Sequence, residues 1–262
     1  MIPSRQALTR RSAWGLALGH ALAGALLLIS TPVRAADWPE RTIRMIVPFV
    51  AGAGADTVGR IFAEELAKAL GQPVVVDNKG GAGGLLGTAE GARAPADGYT
   101  LLLTSQGATV FNMGLYKTPG YDPLKDLAPV VTTGILTNVM VVSSANPATT
   151  VADVIAQALA VTTKDRSVML PDVPTMMEAG VPDYVVATWL GFALPANAPP
   201  AIVSRLNAEL NRIGQLPQVK ERLLVQGFEM LPPGSPEAAR KLIEDDQALW
   251  LPIIKQSGAK AE

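Results

Sequence analysis

Between residues 42 and 103 the chain alternates two hydrophobic patterns. Mainly apolar runs of strand length, at 42–49, 73–77 and 99–103, are separated by stretches whose apolar residues recur every three or four positions. In the first such stretch Val58, Ile61, Phe62, Leu66 and Leu70 share one helical face, and Gly71 ends it. A second, shorter helix is predicted over 85–93, after a glycine-rich turn at 80–87. This β-α-β-α-β rhythm predicts an α/β fold with a parallel sheet and helices on its faces.

The centre is less regular. Strands are predicted at 130–133 and 139–143, and an amphipathic helix begins at 151–157. The chain then passes from Gln157-Ala158 into 159–163, which reads as a buried strand, with no Gly, Pro or Asn at the change. The pattern alone favours one longer helix there. Beyond it, Thr175 is expected to cap a short helix ending at Gly180, and 189–194 reads as a strand. Helices follow at 201–213, 219–226 and 235–254, with Ser235 as a plain N-cap because Ala238, not an acid, stands three residues on.

The first segment lies outside this pattern. Arg5, Arg10 and Arg11 precede an apolar run at 13–29, and Val33-Arg34-Ala35 offers small side chains to a signal peptidase. A secretory signal over 1–35 is expected, because the run is shorter than the ~20 residues a membrane span needs and breaks at Pro32. Thr9-Arg10-Arg11 leaves the twin-arginine route open beside the general one. Removing four arginines and no acid leaves 18 basic against 23 acidic side chains. That mildly acidic balance argues against nucleic acid as a partner and against a polybasic membrane anchor.

Missing residues narrow the chemistry further. There is no cysteine, and the single histidine, His20, lies in the expected signal. A thiolate nucleophile, a Ser-His-Asp arrangement and a histidine-ligated zinc site are therefore excluded from the mature chain. Paired carboxylates remain open to it.

The candidate site is the segment Phe49-Val50-Ala51-Gly52-Ala53-Gly54-Ala55-Asp56, where a strand ends and a helix begins. Small side chains allow a ligand to approach the backbone, and free N–H groups at the positive helix end favour an anion. An equal reading is a tight turn with Asp56 as the helix N-cap. The third strand is followed by Ser105-Gln106-Gly107, predicted at the same sheet edge, where open α/β sheets bind ligands. Asn112 is either a support for that loop or an ordinary turn residue, and Trp189 reads more readily as core than as cleft lining. Neither glycine cluster completes a dinucleotide fingerprint, and neither ends in the Lys-Ser/Thr of a nucleotide P-loop, so no cofactor is expected. The second cluster reads as a structural turn.

These residues carry a resemblance. Trp38-Pro39, Ile46-Val47-Pro48-Phe49, the small loop ending in Asp56, Gly71-Gln72-Pro73-Val74-Val75-Val76-Asp77-Asn78 and Gly81-Ala82-Gly83-Gly84 are followed by Asp97-Gly98-Tyr99-Thr100-Leu101-Leu102, Tyr121-Asp122-Pro123 and Leu170-Pro171-Asp172-Val173-Pro174-Thr175. In that order they resemble the substrate-binding receptors of tripartite tricarboxylate transporters, the Bug-type receptors. The resemblance implies a type II periplasmic binding protein fold, with two lobes closing on a small organic carboxylate. It also implies delivery to membrane transporter subunits, a periplasmic monomer, and no enzymatic activity.

By resemblance the ligand-binding residues are Phe49, Gly52, Ala53, Gly54, Ala55, Asp56, Ser105, Gln106 and Gly107. Ala53 stands where the family often has glycine. The family also has a long block between Gln157 and Ala158 that is absent here. The lobes implied are 36–104 with 188–262 for the first and 105–187 for a truncated second. The alternatives are a non-binding remnant or partner-interaction protein left by an internal deletion, and a hydrolase. The hydrolase would need an acidic pair at the cleft, of which only Asp56 can be placed.

Overall fold

The structure, a computed structural model, describes residues 38–140 and 160–261. The expected signal at 1–35, the helix at 151–157 and the Gln157-Ala158 junction lie outside the described residues.

The chain opens with β1 (Ile43–Val47), α1 (Gly54–Leu70), β2 (Val74–Asn78), α2 (Leu85–Ala92) and β3 (Thr100–Ser105). All three strands and both helices fall where the pattern predicts them. β1 is flanked in parallel by β2 and β3, so their carboxyl ends share one sheet edge. β3 is buried along its whole length, Leu101, Leu102 and Leu103 filling its centre as expected of an interior strand.

After β3 the chain makes a π-helical turn (Gly107–Phe111) and two short helices, α3 (Asn112–Leu115) and α4 (Pro123–Asp126). Asp122 caps α4 by accepting from the Leu124 N–H at 3.0 Å. Then come β4 (Leu127–Leu136), β5 (Val139–Met140), β6 (Ala160–Val161) and β7 (Thr188–Pro195). The C-terminal part holds α5 (Pro200–Gly214), α6 (Pro217–Leu224), β8 (Phe228–Met230) and α7 (Pro236–Ser257). Ser235 caps α7 as expected, accepting from the Ala238 N–H at 3.1 Å.

The main sheet has the order β2-β1-β3-β7-β4-β8. It is mixed and not wholly parallel: β7 runs antiparallel to both β3 and β4, and β8 antiparallel to β4. β4 belongs to this sheet although it comes from within 105–187, so sheet membership divides that stretch at Leu136. Leu136 and Thr188 are paired neighbours, so the chain leaves the sheet and returns to it at adjacent points. Both points lie at the edge where β1 and β3 end. In the segment between them, β5 and β6 form a two-stranded sheet, with Val139 opposite Val161.

Two expectations need correction. Thr175 does not start a regular helix; the residues to Gly180 form hydrogen-bonded turns. Thr175 Oγ1 accepts from the Glu178 N–H at 3.1 Å and Glu178 accepts from the Thr175 N–H at 2.7 Å, a capping box that no longer helix follows. Asp56 is not the N-cap of α1 either. That position belongs to Ala53, with extended backbone and no side-chain cap, because the chain turns early enough for Gly54 to be helical.

Candidate functional site

The loop between β1 and α1 is built from its buried side upward. Asp56 sits in the first turn of α1 and is 2% exposed. Its Oδ2 accepts from the Gly52 N–H at 2.8 Å and from Arg60 Nε at 2.9 Å, while Oδ1 accepts from Asn78 Nδ2 at 2.9 Å. Asn78, the last residue of β2, also donates to the Phe49 carbonyl at 3.1 Å and accepts from Arg60 Nη2 at 3.0 Å. Burial pushes the Asp56 carboxyl up, but the bonds from Arg60, Gly52 and Asn78 outweigh it and hold the group below its ordinary value.

This arrangement decides what the loop can do. The negative charge of Asp56 points inward and is neutralised by Arg60, so it offers a ligand neither a donor nor a free acceptor. The exposed face is Val50, Ala51, Gly52 and Gly54. Gly52 has φ +84, a left-handed conformation that a side chain would strain, and it directs the backbone toward the helix start. The N–H groups of Gly54, Ala55 and Asp56 precede the first bonded turn; Thr57 is the first to reach a carbonyl, that of Ala53 at 3.1 Å. These donors and the positive helix end create a local preference for anions. Ala53, at φ −69, needs no glycine for its conformation.

The second glycine cluster is the floor of this loop. A Cβ on Gly87 would stand 2.6 Å from the Lys79 carbonyl oxygen and 2.9 Å from Pro48 Cα. Only glycine lets α2 approach the backbone after β1 so closely. Asn112 Nδ2 donates to the Gly83 carbonyl at 3.2 Å, so Asn112 supports this neighbouring turn.

The segment after β3 ends at the same sheet edge with its side chains buried, and Gln106 Oε1 has no hydrogen-bond partner among the described residues. Ser105 is buried, and its Oγ accepts from the Ala108 N–H at 3.2 Å. Gln106 is 3% exposed, and its Nε2 donates to Asp246 Oδ2 at 2.9 Å. The same Asp246 oxygen accepts from Trp189 Nε1 at 2.8 Å. Gly107 is half-buried and opens the π-helical turn. The structure therefore brings Phe49 to Asp56 together in one loop and sets Ser105, Gln106 and Gly107 into the sheet end beside it. Trp189 is buried, as core residues are.

Sequence reasoning missed Arg60, Asn78 and Asp246 as organisers of these loops. The i, i+4 spacing of Asp56 and Arg60 was the available signal for the first. Among the described residues no cluster of three His, Cys, Asp or Glu side chains could hold a metal, and no helix is long and apolar enough to cross a membrane.

A sequence model of the tripartite tricarboxylate transporter family receptor matches residues 58–158 and 156–259. The two matched stretches overlap at residues 156–158. Protein BugT of Bordetella pertussis is 30% identical over 307 residues, covering 88% of this chain and 94% of its own. Since 88% of 262 residues is about 231, about 76 aligned positions have no counterpart here. The periplasmic binding protein BugD superposes with a TM-score of 0.73 at 27% identity, over 85% of this chain and 99% of its own. Rpa4515 of R. palustris, solved with adipate, gives 0.74 at 27% identity over the same shares.

Proposed function

This chain belongs to the tripartite tricarboxylate transporter family of receptors, and from that premise we propose that it captures a small organic carboxylate in the periplasm and delivers it to the membrane subunits of a tripartite tricarboxylate-type transporter. The observation that carries this reading is the loop from Phe49 to Asp56. Its one acid is buried and paired with Arg60, while unbonded N–H groups begin α1 at an exposed backbone. A carboxylate placed against Gly52, Ala53, Gly54 and Ala55 meets donors and a positive helix end without meeting the Asp56 charge. Gly107 would complete the site from the β3 side through its backbone, since Ser105 Oγ and the donor nitrogen of Gln106 are engaged elsewhere and the free Gln106 oxygen is an acceptor that a carboxylate cannot use.

The adipate held by the R. palustris neighbour supports a dicarboxylate as the ligand class. Secretion through the signal at 1–35, a monomeric state and the absence of turnover belong to the same reading. On it, residues 137–187 are what remains of the second lobe, reached through the crossover at Leu136 and Thr188.

The test is thermal unfolding of the chain from Ala36 onward, alone and with a panel of di- and tricarboxylates that includes adipate. A ligand that binds only the folded form adds about 2.7 kcal/mol at 100 times its Kd, and the midpoint rises accordingly. A cooperative transition that no member of the panel moves would count against carboxylate capture.

A further inference from the structure

The chain leaves the main sheet at Leu136 and returns at Thr188. Among the described residues of the segment between, 137–140 and 160–187, most hydrogen bonds stay within the segment or its two legs. The Val161 N–H donates to the Pro174 carbonyl at 2.8 Å, the Met176 N–H to Val161 at 2.9 Å, and the Val186 N–H to Thr162 at 2.7 Å. Its legs are joined by the Thr162 N–H, which donates to the Asn138 carbonyl at 3.1 Å. Over residues 160–187 Val161, Val173 and Met176 are buried, but Val168 is 68% exposed and Met169 46%. The buried positions of this stretch include hydroxyl side chains as often as apolar ones, among them Thr162, Thr163, Ser167 and Thr175. Burial within residues 160–187 therefore adds little hydrophobic free energy.

Ser167 breaks this self-contained pattern. It is 3% exposed, and its Oγ donates to Glu229 Oε1 at 2.5 Å. The same Glu229 oxygen accepts from Thr137 Oγ1 at 3.1 Å. Glu229 lies in β8, paired with Ile135 of β4 at the outer edge of the main sheet. Thr137 is the first residue of the outgoing leg. One carboxylate oxygen thus joins the sheet edge, the exit of the chain from that sheet and the far end of the excursion. Ser167 is itself fixed, since its Oγ also accepts from the Met169 N–H at 3.2 Å and its carbonyl from the Leu170 N–H at 3.1 Å.

We propose that Glu229 is a positioning residue that latches the shortened second lobe to the edge of the first through Ser167 and Thr137, fixing its placement at the sheet edge that carries the candidate site. The inference deepens the carboxylate-receptor reading and rests on it for its importance to binding, but the latch is tested without ligand. A hydrogen bond to a charged acceptor is among the stronger ones, and here it adds to the sparse apolar burial of residues 160–187. Among the described residues the legs are joined to each other at Leu136 and Thr188, at Asn138 and through the small β5–β6 sheet, and these contacts do not tie residues 164–180 to the edge of the main sheet as the Glu229 bond does.

The experiment is amide hydrogen exchange on the full chain and on Ser167→Ala, Glu229→Ala, Glu229→Gln and the double Ala variant. The amides of Val161, Thr162, Met176 and Val186 should exchange about tenfold faster in either Ala variant, the change expected of a lost hydrogen bond to a charged group. Those of β1 and β3 should keep their rates. The double variant should go no further than the single ones, and Glu229→Gln, which keeps an acceptor oxygen, should recover part of the protection. Unchanged rates, additive effects, or a rise spread evenly over β1 and β3 would each overturn the latch. None of these readouts depends on adipate binding, so a failure of the receptor reading remains a separate result.

Discussion

The Gly52 N–H donates to the Asp56 carboxylate at 2.8 Å, across the turn that ends β1 and begins α1. That bond closes a network in which one buried acid holds the loop backbone, Arg60 and Asn78 in register. Asp56→Asn keeps the shape of the side chain but removes its charge. Stability at neutral pH should fall by about 1.5–3 kcal/mol, the range for bonds to an ionised group. The folded carboxyl titrates below its ordinary value of 3.8, so its contribution is complete above that value and is lost as pH falls through the lower folded one. The gap between wild type and variant in chemical denaturation should be widest near pH 7 and close below pH 3.8. A gap that stays constant down to pH 3 would remove Asp56 as the cause.

Two glycines separate stability from binding. No atom lies within 4 Å of a Cβ built on Gly54, at the first turn of α1. Gly54→Ala should therefore be neutral or stabilise by up to ~1 kcal/mol, through the unfolded chain. It should nonetheless weaken adipate binding in calorimetry, because its methyl group stands where a carboxylate would approach the backbone. Gly87→Ala forces backbone atoms apart under Pro48 and should cost about 1–3 kcal/mol, with binding reduced in step. Unchanged affinity in a stable Gly54→Ala variant would move the site away from this loop.

Much of the fold was legible because β1, β2 and β3 are built on short apolar runs (Met45 to Val47, Val74 to Val76, Leu101 to Leu103) and α1, α5 and α7 keep a clean helical face. β4 was legible only in its middle. Pro129 and two register shifts, between Pro129 and Val131 and between Thr132 and Gly134, blur the alternation that would mark its ends. β8 has three residues after Gly227 and is held by its partner strand, not by its own pattern. The site was half legible. Small residues between a strand and a helix pointed to the loop at Phe49 to Asp56. That Gln106 would turn to a helix 140 residues later was not, because Glu244, Asp245 and Asp246 form an acidic run in which nothing local marks the inward-facing member.

Asp246 serves two buried donors with one oxygen, and its removal should be felt at both. Asp246→Ala leaves Gln106, 3% exposed, and Trp189, 4% exposed, without an acceptor. Each stranded donor costs about 1–3 kcal/mol. Urea denaturation should show the loss, and the Trp189 indole emission should shift with its changed surroundings. Asp246→Asn keeps an acceptor and should lose less. Equal losses in the two variants would mean that charge, and not hydrogen bonding, matters there.

Tyr121 gives an alkaline test of the packing behind the β3 loop. Its hydroxyl donates to the Ala108 carbonyl, within the π-helical turn. Burial pushes the phenol up from 10 to about 12, against the neighbouring Asn112 and Thr88, which act in the opposite direction. The fold thus favours the neutral form. That preference is fully present below pH 10 and is lost as pH rises toward 12, because the unfolded chain releases the proton first. Tyr121→Phe should cost about 0.5–1.5 kcal/mol at pH 7 through the missing hydrogen bond. Between pH 10 and 11.5 the wild type should lose stability on the order of 2 kcal/mol that the Phe variant keeps. Urea denaturation of the pair across that range should therefore show the two stabilities converging and then crossing, whereas parallel curves would mean that Tyr121 ionises as freely folded as unfolded.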